Sequence, residues 1–222
     1  MKKVLLLFTL LSLFSCSKKE ASPNPKQTDV EEIIEEKTEY LELISNTLEG
    51  DFDGDGIKEK LVTFISDSTG KAIKRLPAGK EWGDTIDYTF KNGITTKLYI
   101  EGRAADTIKL GTSTGLYCLI NIGDLNKDKK DEIIFVADWP DYSNLNSARV
   151  YTLCNNKWIE IKTFSINEGI AFYWEGEIRP TFKDIPGFLI NNNGKWIYSD
   201  YEDEDYDGHI EHMKKLEIPK CH

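Results

Sequence analysis

Two short stretches of this chain space their oxygen donors as a hard cation requires. One reads Gly50-Asp51-Phe52-Asp53-Gly54-Asp55-Gly56-Ile57-Lys58-Glu59, the other Gly123-Asp124-Leu125-Asn126-Lys127-Asp128-Lys129-Lys130-Asp131-Glu132. Counted from the aspartate after the glycine, both carry Asp or Asn at positions 1, 3 and 5 and Glu at position 9. Alternating acids on a tightly curled loop converge on one point, and the carbonyl of position 7 adds a further donor. Calcium takes about six to eight oxygens at roughly 2.3 to 2.6 Å, so the chemistry these residues offer is calcium binding. Gly54 and Gly56 permit the curl in the first loop. In the second, Lys127, Lys129 and Lys130 stand in the glycine-rich part and bring positive charge next to the ion, which predicts weaker binding there.

A chain of this composition should show such a match, with its leading Gly, roughly 0.01 times by chance. Two matches therefore read as copies of one unit, starting 73 residues apart at Asp51 and Asp124. A third acidic run over residues 203–211 satisfies the same spacing, but no Gly precedes it and residues 212–215 do not read as a strand, so a solvated acidic loop is the leading reading and a third calcium loop the alternative. An EF-hand would need flanking helices and a bidentate Glu at position 12, where this chain has Val62 and Phe135. The pattern instead resembles the FG-GAP and VCBS repeat families, the calcium-loop units of integrin-type β-propellers. That resemblance covers roughly 14 residues in each copy. It implies ligands from Asp51, Asp53, Asp55, the Ile57 carbonyl and Glu59, and from Asp124, Asn126, Asp128, the Lys130 carbonyl and Glu132. Those families close a ring of typically four to eight blades, whereas two loops 73 residues apart are too few for a ring.

The loops need strands to hold them. Residues 40–48, 60–65, 86–90, 95–100, 116–122, 132–137, 149–153, 158–164 and 195–198 are rich in β-branched and aromatic side chains, and Lys91-Asn92-Gly93 and Asn193-Gly194 read as hairpin turns. After each loop comes a strand, a variable insertion and a hairpin. The expectation is a mainly β, antiparallel domain of two diverged four-strand units, about 40–101 and 110–200, as an irregular propeller-like fold or a β-sandwich. A short amphipathic helix over residues 29–39 is expected to precede it, capped by Asp29 with Val30, Ile33, Ile34 and Lys37 at helical spacing.

Met1-Lys2-Lys3, an apolar run from Val4 to Phe14, then Ser15 and Cys16 have the order of a secretory signal. The run is too short to span a bilayer, which needs about 20 apolar residues. Leu13-Phe14-Ser15-Cys16 resembles the bacterial lipobox, which implies cleavage after residue 15 and an acyl anchor on Cys16. Ser17 next to it, by resemblance to enterobacterial sorting, implies the outer membrane. Residues 16–28 are polar and Pro-containing, as a flexible tether is, and residues 29–222 form the β-rich domain with its acidic C-terminal segment. Net charge is −10, and loss of residues 1–15 removes two lysines and no acid, leaving −12. A nucleic-acid partner is therefore not expected.

Other chemistry finds little support. Gly111-Thr112-Ser113-Thr114-Gly115 matches a nucleophile elbow, but a strand follows where a helix is required. Three His residues give no complete zinc set or triad. Cys118 and Cys154 are candidates for a disulfide unless strand 132–137 lies between them. Trp139, Tyr142, Tyr173 and Trp174 could form a patch for a protein or glycan partner. The leading expectation is a cell-envelope lipoprotein whose calcium-stabilised β domain is a binding or inhibitory module. The alternative is an envelope hydrolase acting on a glycan.

Overall fold

The computed structural model describes residues 39–103, 107–175 and 180–220. The signal, Cys16, the tether and, save for Glu39, the expected N-terminal helix lie outside the described residues. The chain divides into two units between Glu36 and Lys37, and every described residue belongs to the second. The fold is mainly β, 44% strand and 10% helix, with antiparallel sheets and no closed barrel.

The first half contains β1 (Tyr40–Glu42), β2 (Thr47–Gly50), β3 (Glu59–Ser66), β4 (Arg75–Pro77), the helix α1 (Trp82–Asn92), β5 (Thr95–Ile100) and β6 (Thr107–Thr112). Strands β2-β3-β5-β6 form one four-stranded antiparallel sheet, while β1 and β4 pair separately. The second half contains β7 (Leu116–Gly123), β8 (Glu132–Ala137), β9 (Leu145–Cys154), β10 (Lys157–Asn167), the short α2 (Glu168–Ala171), β11 (Leu189–Asn192), β12 (Lys195–Tyr198) and β13 (Lys214–Lys215). Strands β7 to β10 form the second four-stranded sheet in sequential order, and β11-β12-β13 a third.

The two four-stranded sheets are the same unit twice. Each acidic loop joins the first strand of its sheet to the second: β2 ends at Gly50 and β3 begins at Glu59, and β7 ends at Gly123 and β8 begins at Glu132. The first sheet extends to Thr112 and the second ends at Asn167, so the third sheet lies beyond both units.

Burial explains the layering. Along β5, Thr96, Leu98 and Ile100 point inward while Thr95 and Lys97 face solvent, the alternation of a sheet covered on one side. Every residue of β8 is buried, so the second sheet is covered on both faces. One core joins Phe52 of the first acidic loop and Leu61, Leu98 and Ile108 of the first sheet to Leu119, Ile133, Phe135 and Leu153 of the second. Another joins Ile120, Ile134, Val150 and Phe164, on the opposite face, to Phe188, Leu189, Trp196 and Leu216. Each fully buried Phe or Leu contributes about 1.5 to 3 kcal/mol, so these two cores hold the stack together.

Residues 86–90, expected to be a strand, are helical within α1. The Asn-Gly signal misled for a physical reason: Gly93 adopts φ 59°, the left-handed conformation that suits a hairpin turn and a helix C-terminus equally. A capping box between Glu81 and Asp84 fixes the other end. The strand expected over residues 40–48 is interrupted, with β1 and β2 in different sheets. Strand β8 pairs on one side with β7, which carries Cys118, and on the other with β9, which ends at Cys154. Two strand spacings of about 4.8 Å separate β7 from β9, beyond the Cα reach of a disulfide. Cys154 is disulfide-bonded and Cys118 is buried.

Candidate metal centres

Each acidic loop is wound by its own carboxylates. In the first, Asp51 accepts hydrogen bonds from the amides of Gly54 at 2.9 Å and Gly56 at 3.0 Å. The amide of Asp55 donates to Asp53 at 3.1 Å and that of Ile57 to Asp55 at 2.7 Å. Glu59, at the start of β3, reaches back to accept from the Phe52 amide at 2.8 Å. The second loop repeats this: Lys129 donates to Asp124 at 3.0 Å, Asp128 to Asn126 at 2.9 Å, Lys130 to Asp128 at 3.1 Å, and Leu125 to Glu132 at 2.9 Å. Position 2 is the plug in both. Phe52 is fully buried in the core between the four-stranded sheets, edge-on to Trp158 at 5.7 Å, and Leu125 packs on the other core.

This winding brings carboxylates together. One oxygen each from Asp51, Asp53 and Glu59 lies within 4.8 Å of the others, and the same holds for Asp124, Asp128 and Glu132. Two acidic clusters that could hold a metal ion are thus built from six residues that the sequence singled out. The remaining sequence candidates are Asp55, Ile57, Asn126 and Lys130. They lie on the same two loops, where Asp55 and Asn126 accept the turn hydrogen bonds just described.

The donor sets suit a cation. Glu59 Oε1 is buried and accepts no hydrogen bond, though the Arg103 guanidinium faces it at 3.3 Å, so this oxygen is one that positive charge already seeks. Burial holds the Glu59 carboxyl above its ordinary pKa, and the neighbouring Asp53 adds to the rise. Glu132 is fully buried, with Oε1 accepting from Thr152 at 3.3 Å. Burial pushes its pKa up to about 7, and the charges of Asp128 and Asp124 contribute. A bound cation would offset both penalties.

Two lysines of the second loop take the backbone places of the first loop's glycines. Lys127 and Lys129 adopt φ of 62° and 75°, where the first loop has Gly54 at 81° and Gly56 at 87°. Lys130 turns away, its Nζ donating to the Leu153 carbonyl at 2.9 Å. The cationic competitor stands instead at the first loop, where Arg103 is bonded to Asp53 and lies 3.3 Å from Glu59 Oε1. That hydrogen bond holds the Asp53 carboxyl below its ordinary pKa. Sequence reasoning missed Arg103, which lies far along the chain from the loop it meets. Asp131 was also missed: it is an acid at position 8, where the first loop has Lys58.

The other candidates are placed less suggestively. In the third acidic run, Asp203 pairs with Lys214 at 2.6 Å and Asp207 with His212 at 2.5 Å. Trp139 is half-buried against the core, with its indole N–H on Asn146 at 3.1 Å and the Arg149 guanidinium over its ring at 5.8 Å. Tyr142 and Tyr173 are well exposed, and Trp174 is 37% exposed. Ser113 is buried between β6 and β7 with no helix after it, so the elbow motif is a turn. Among the described residues, no helix is long and apolar enough to cross a membrane. Comparison with known proteins found no matching family model, no matching curated protein and no matching solved structure.

Proposed function

We propose that the chain is a cell-envelope lipoprotein, anchored through Cys16 to the outer membrane, whose β domain is stiffened by two calcium ions and serves as a binding or inhibitory module. The observation that carries the calcium reading is the doubled cluster of three converging carboxylates at equivalent positions of two equivalent sheets. All-oxygen donor sets on short, glycine-bearing loops favour a hard divalent ion over a transition metal. Such loops lead directly into a strand in FG-GAP and VCBS repeats, which supports a distant kinship with those units. The disulfide at Cys154 supports an oxidising compartment. Exposed Tyr142 and Tyr173 are the side chains best placed to meet a partner. Labelling cells with an acyl-chain probe tests the anchor: the wild-type chain should carry label, and a Cys16→Ser chain that kept it would refute the anchor.

A glycan hydrolase remains the second reading because of one acid. Glu168 at the start of α2 accepts hydrogen bonds from Asn146 and from the Tyr117 hydroxyl, the latter at 3.1 Å. Burial raises its pKa, as a general acid requires. Turnover of cell-wall glycan that disappears in Glu168→Gln at unchanged melting temperature would favour the hydrolase over the binding module.

A further inference from the structure

A cavity of about 390 Å³ lies where the second acidic loop, β12 and the segment after β13 meet. Its lining carries Lys127, Lys195, Lys215 and Lys220 with one acid, Glu217, while Trp196 and Leu125 contribute apolar wall. The wall is rigid: the Trp196 indole N–H donates to the Ile122 carbonyl at 2.9 Å, and the Leu216 amide to the Trp196 carbonyl at 2.9 Å. Only Lys215 has an acidic partner, Glu217 at 3.1 Å; among the described residues Lys127, Lys195 and Lys220 form no ion pair.

The charge balance makes this more than a scatter of surface lysines. A chain of net charge −10 nevertheless lines this one concavity with four lysines against a single acid, Glu217, so the local charge is opposite in sign to that of the chain. Lys127 also stands at φ 62°, in a backbone conformation that favours glycine and that Gly54 serves in the first loop. Lys129 shares this conformation at φ 75° without lining the cavity, so it is the place of Lys127 in the lining that bears on binding.

We infer that this cavity binds a small soluble phosphate monoester. Lysine presents a compact point charge, and a monoester carries about −1.5 to −2 at neutral pH, so one phosphate can engage several ammonium groups at once. The apolar wall then covers the organic part, which inorganic phosphate lacks. The volume lies within the roughly 300 to 1,000 Å³ usual for small-molecule sites. The cavity shares Asn126 and Lys127 with the second acidic loop, so the test is run in chelator, where phosphate binding and calcium binding are read apart.

The test is a nuclear magnetic resonance titration of the full-length chain in chelator with glucose 6-phosphate, inorganic phosphate and glucose. Glucose 6-phosphate should give saturating amide shifts centred on Lys127, Lys195 and Lys215, and should bind more tightly than inorganic phosphate; glucose should give none. Replacing Lys127, Lys195 and Lys220 together with Gln should weaken binding by about ten-fold or more, at roughly two- to five-fold per exposed charge pair. A control with Lys58→Gln, Lys71→Gln and Lys109→Gln should retain it. The absence of shifts would overturn the inference, as would equal response to glucose, binding of inorganic phosphate at least as tight, or unchanged affinity in the folded triple variant. The spectrum reports folding of each variant directly.

Discussion

Asp51 and Asp131 bind each other across the two acidic loops. The Asp131 amide donates to the Asp51 carbonyl at 2.8 Å, and the Asp51 amide donates to the Asp131 carboxylate at 3.1 Å. Asn121 Nδ2 donates to the same carboxylate at 2.8 Å and to the Glu49 carbonyl at 3.1 Å. The candidate metal centres are therefore neighbours, and the first residue of one is pinned by the eighth of the other.

Removing that pin should affect both loops. Asp131→Ala leaves the Asp51 amide without its acceptor and takes one of two from Asn121 Nδ2, at a cost of about 1 to 3 kcal/mol. The melting temperature should fall by several degrees, and calcium uptake should weaken at both sites. Lys58→Ala, the equivalent position of the first loop, should do neither. A thermal scan of the two variants with and without calcium checks this.

Arg103 should compete with an ion at the first loop, since it holds Asp53 and approaches Glu59. Arg103→Gln should raise calcium affinity there about five-fold, the value of roughly 1 kcal/mol for an exposed pair. It should also lower the melting temperature in chelator. Calorimetric titration of the variant would show no gain if the guanidinium were irrelevant to the site.

Lys127→Gly should stabilise the fold by about 1 kcal/mol, because the residue occupies φ 62°. Denaturant unfolding measures the gain. The companion change Gly54→Ala, at φ 81° and with a Cβ 3.0 Å from the Lys130 side chain, should cost stability.

The pH dependence follows from Glu132. Its folded-state pKa is raised to about 7 from an ordinary value near 4.5, so the ion-free fold binds the extra proton and the unfolded chain does not. Stability in chelator should therefore decline from this group as pH rises from about 4.5 through 7. Calcium should reverse the decline, because a bound cation favours the ionised form, and uptake should strengthen over the same range. Thermal scans between pH 5 and 8 read both effects, and Glu132→Gln in chelator should flatten the first.

Much of this was legible in the sequence, and the reasons are local. Strands 95–100, 132–137 and 195–198 appear as expected because β-branched and aromatic runs bounded by turns have few other solutions. The acidic loops were legible because the spacing of their carboxylates is itself the fold of the loop. Helix α1 was not, since Asn92-Gly93 serves a helix end as well as a hairpin. Nor was the third sheet, whose strands β11 and β13 are short and whose stability comes from packing on Ile134 and Val150 of the central sheet. Arg103 at Asp53 and Asp131 at Asp51 are contacts between residues 50 and 80 positions apart, which no periodicity encodes.

The most direct test of the account is a calorimetric calcium titration of the purified chain after chelator treatment. The account predicts two ions per chain with dissociation constants at or below about 10⁻⁴ to 10⁻³ M, the range of extracellular modules. At about 1 mM ion and a constant near 0.1 mM, each site adds roughly 1.4 kcal/mol. Asp53→Ala and Asp124→Ala should each abolish one of the two binding events. No heat of binding up to several millimolar calcium would contradict it, leaving both loops as turns that cap β3 and β8.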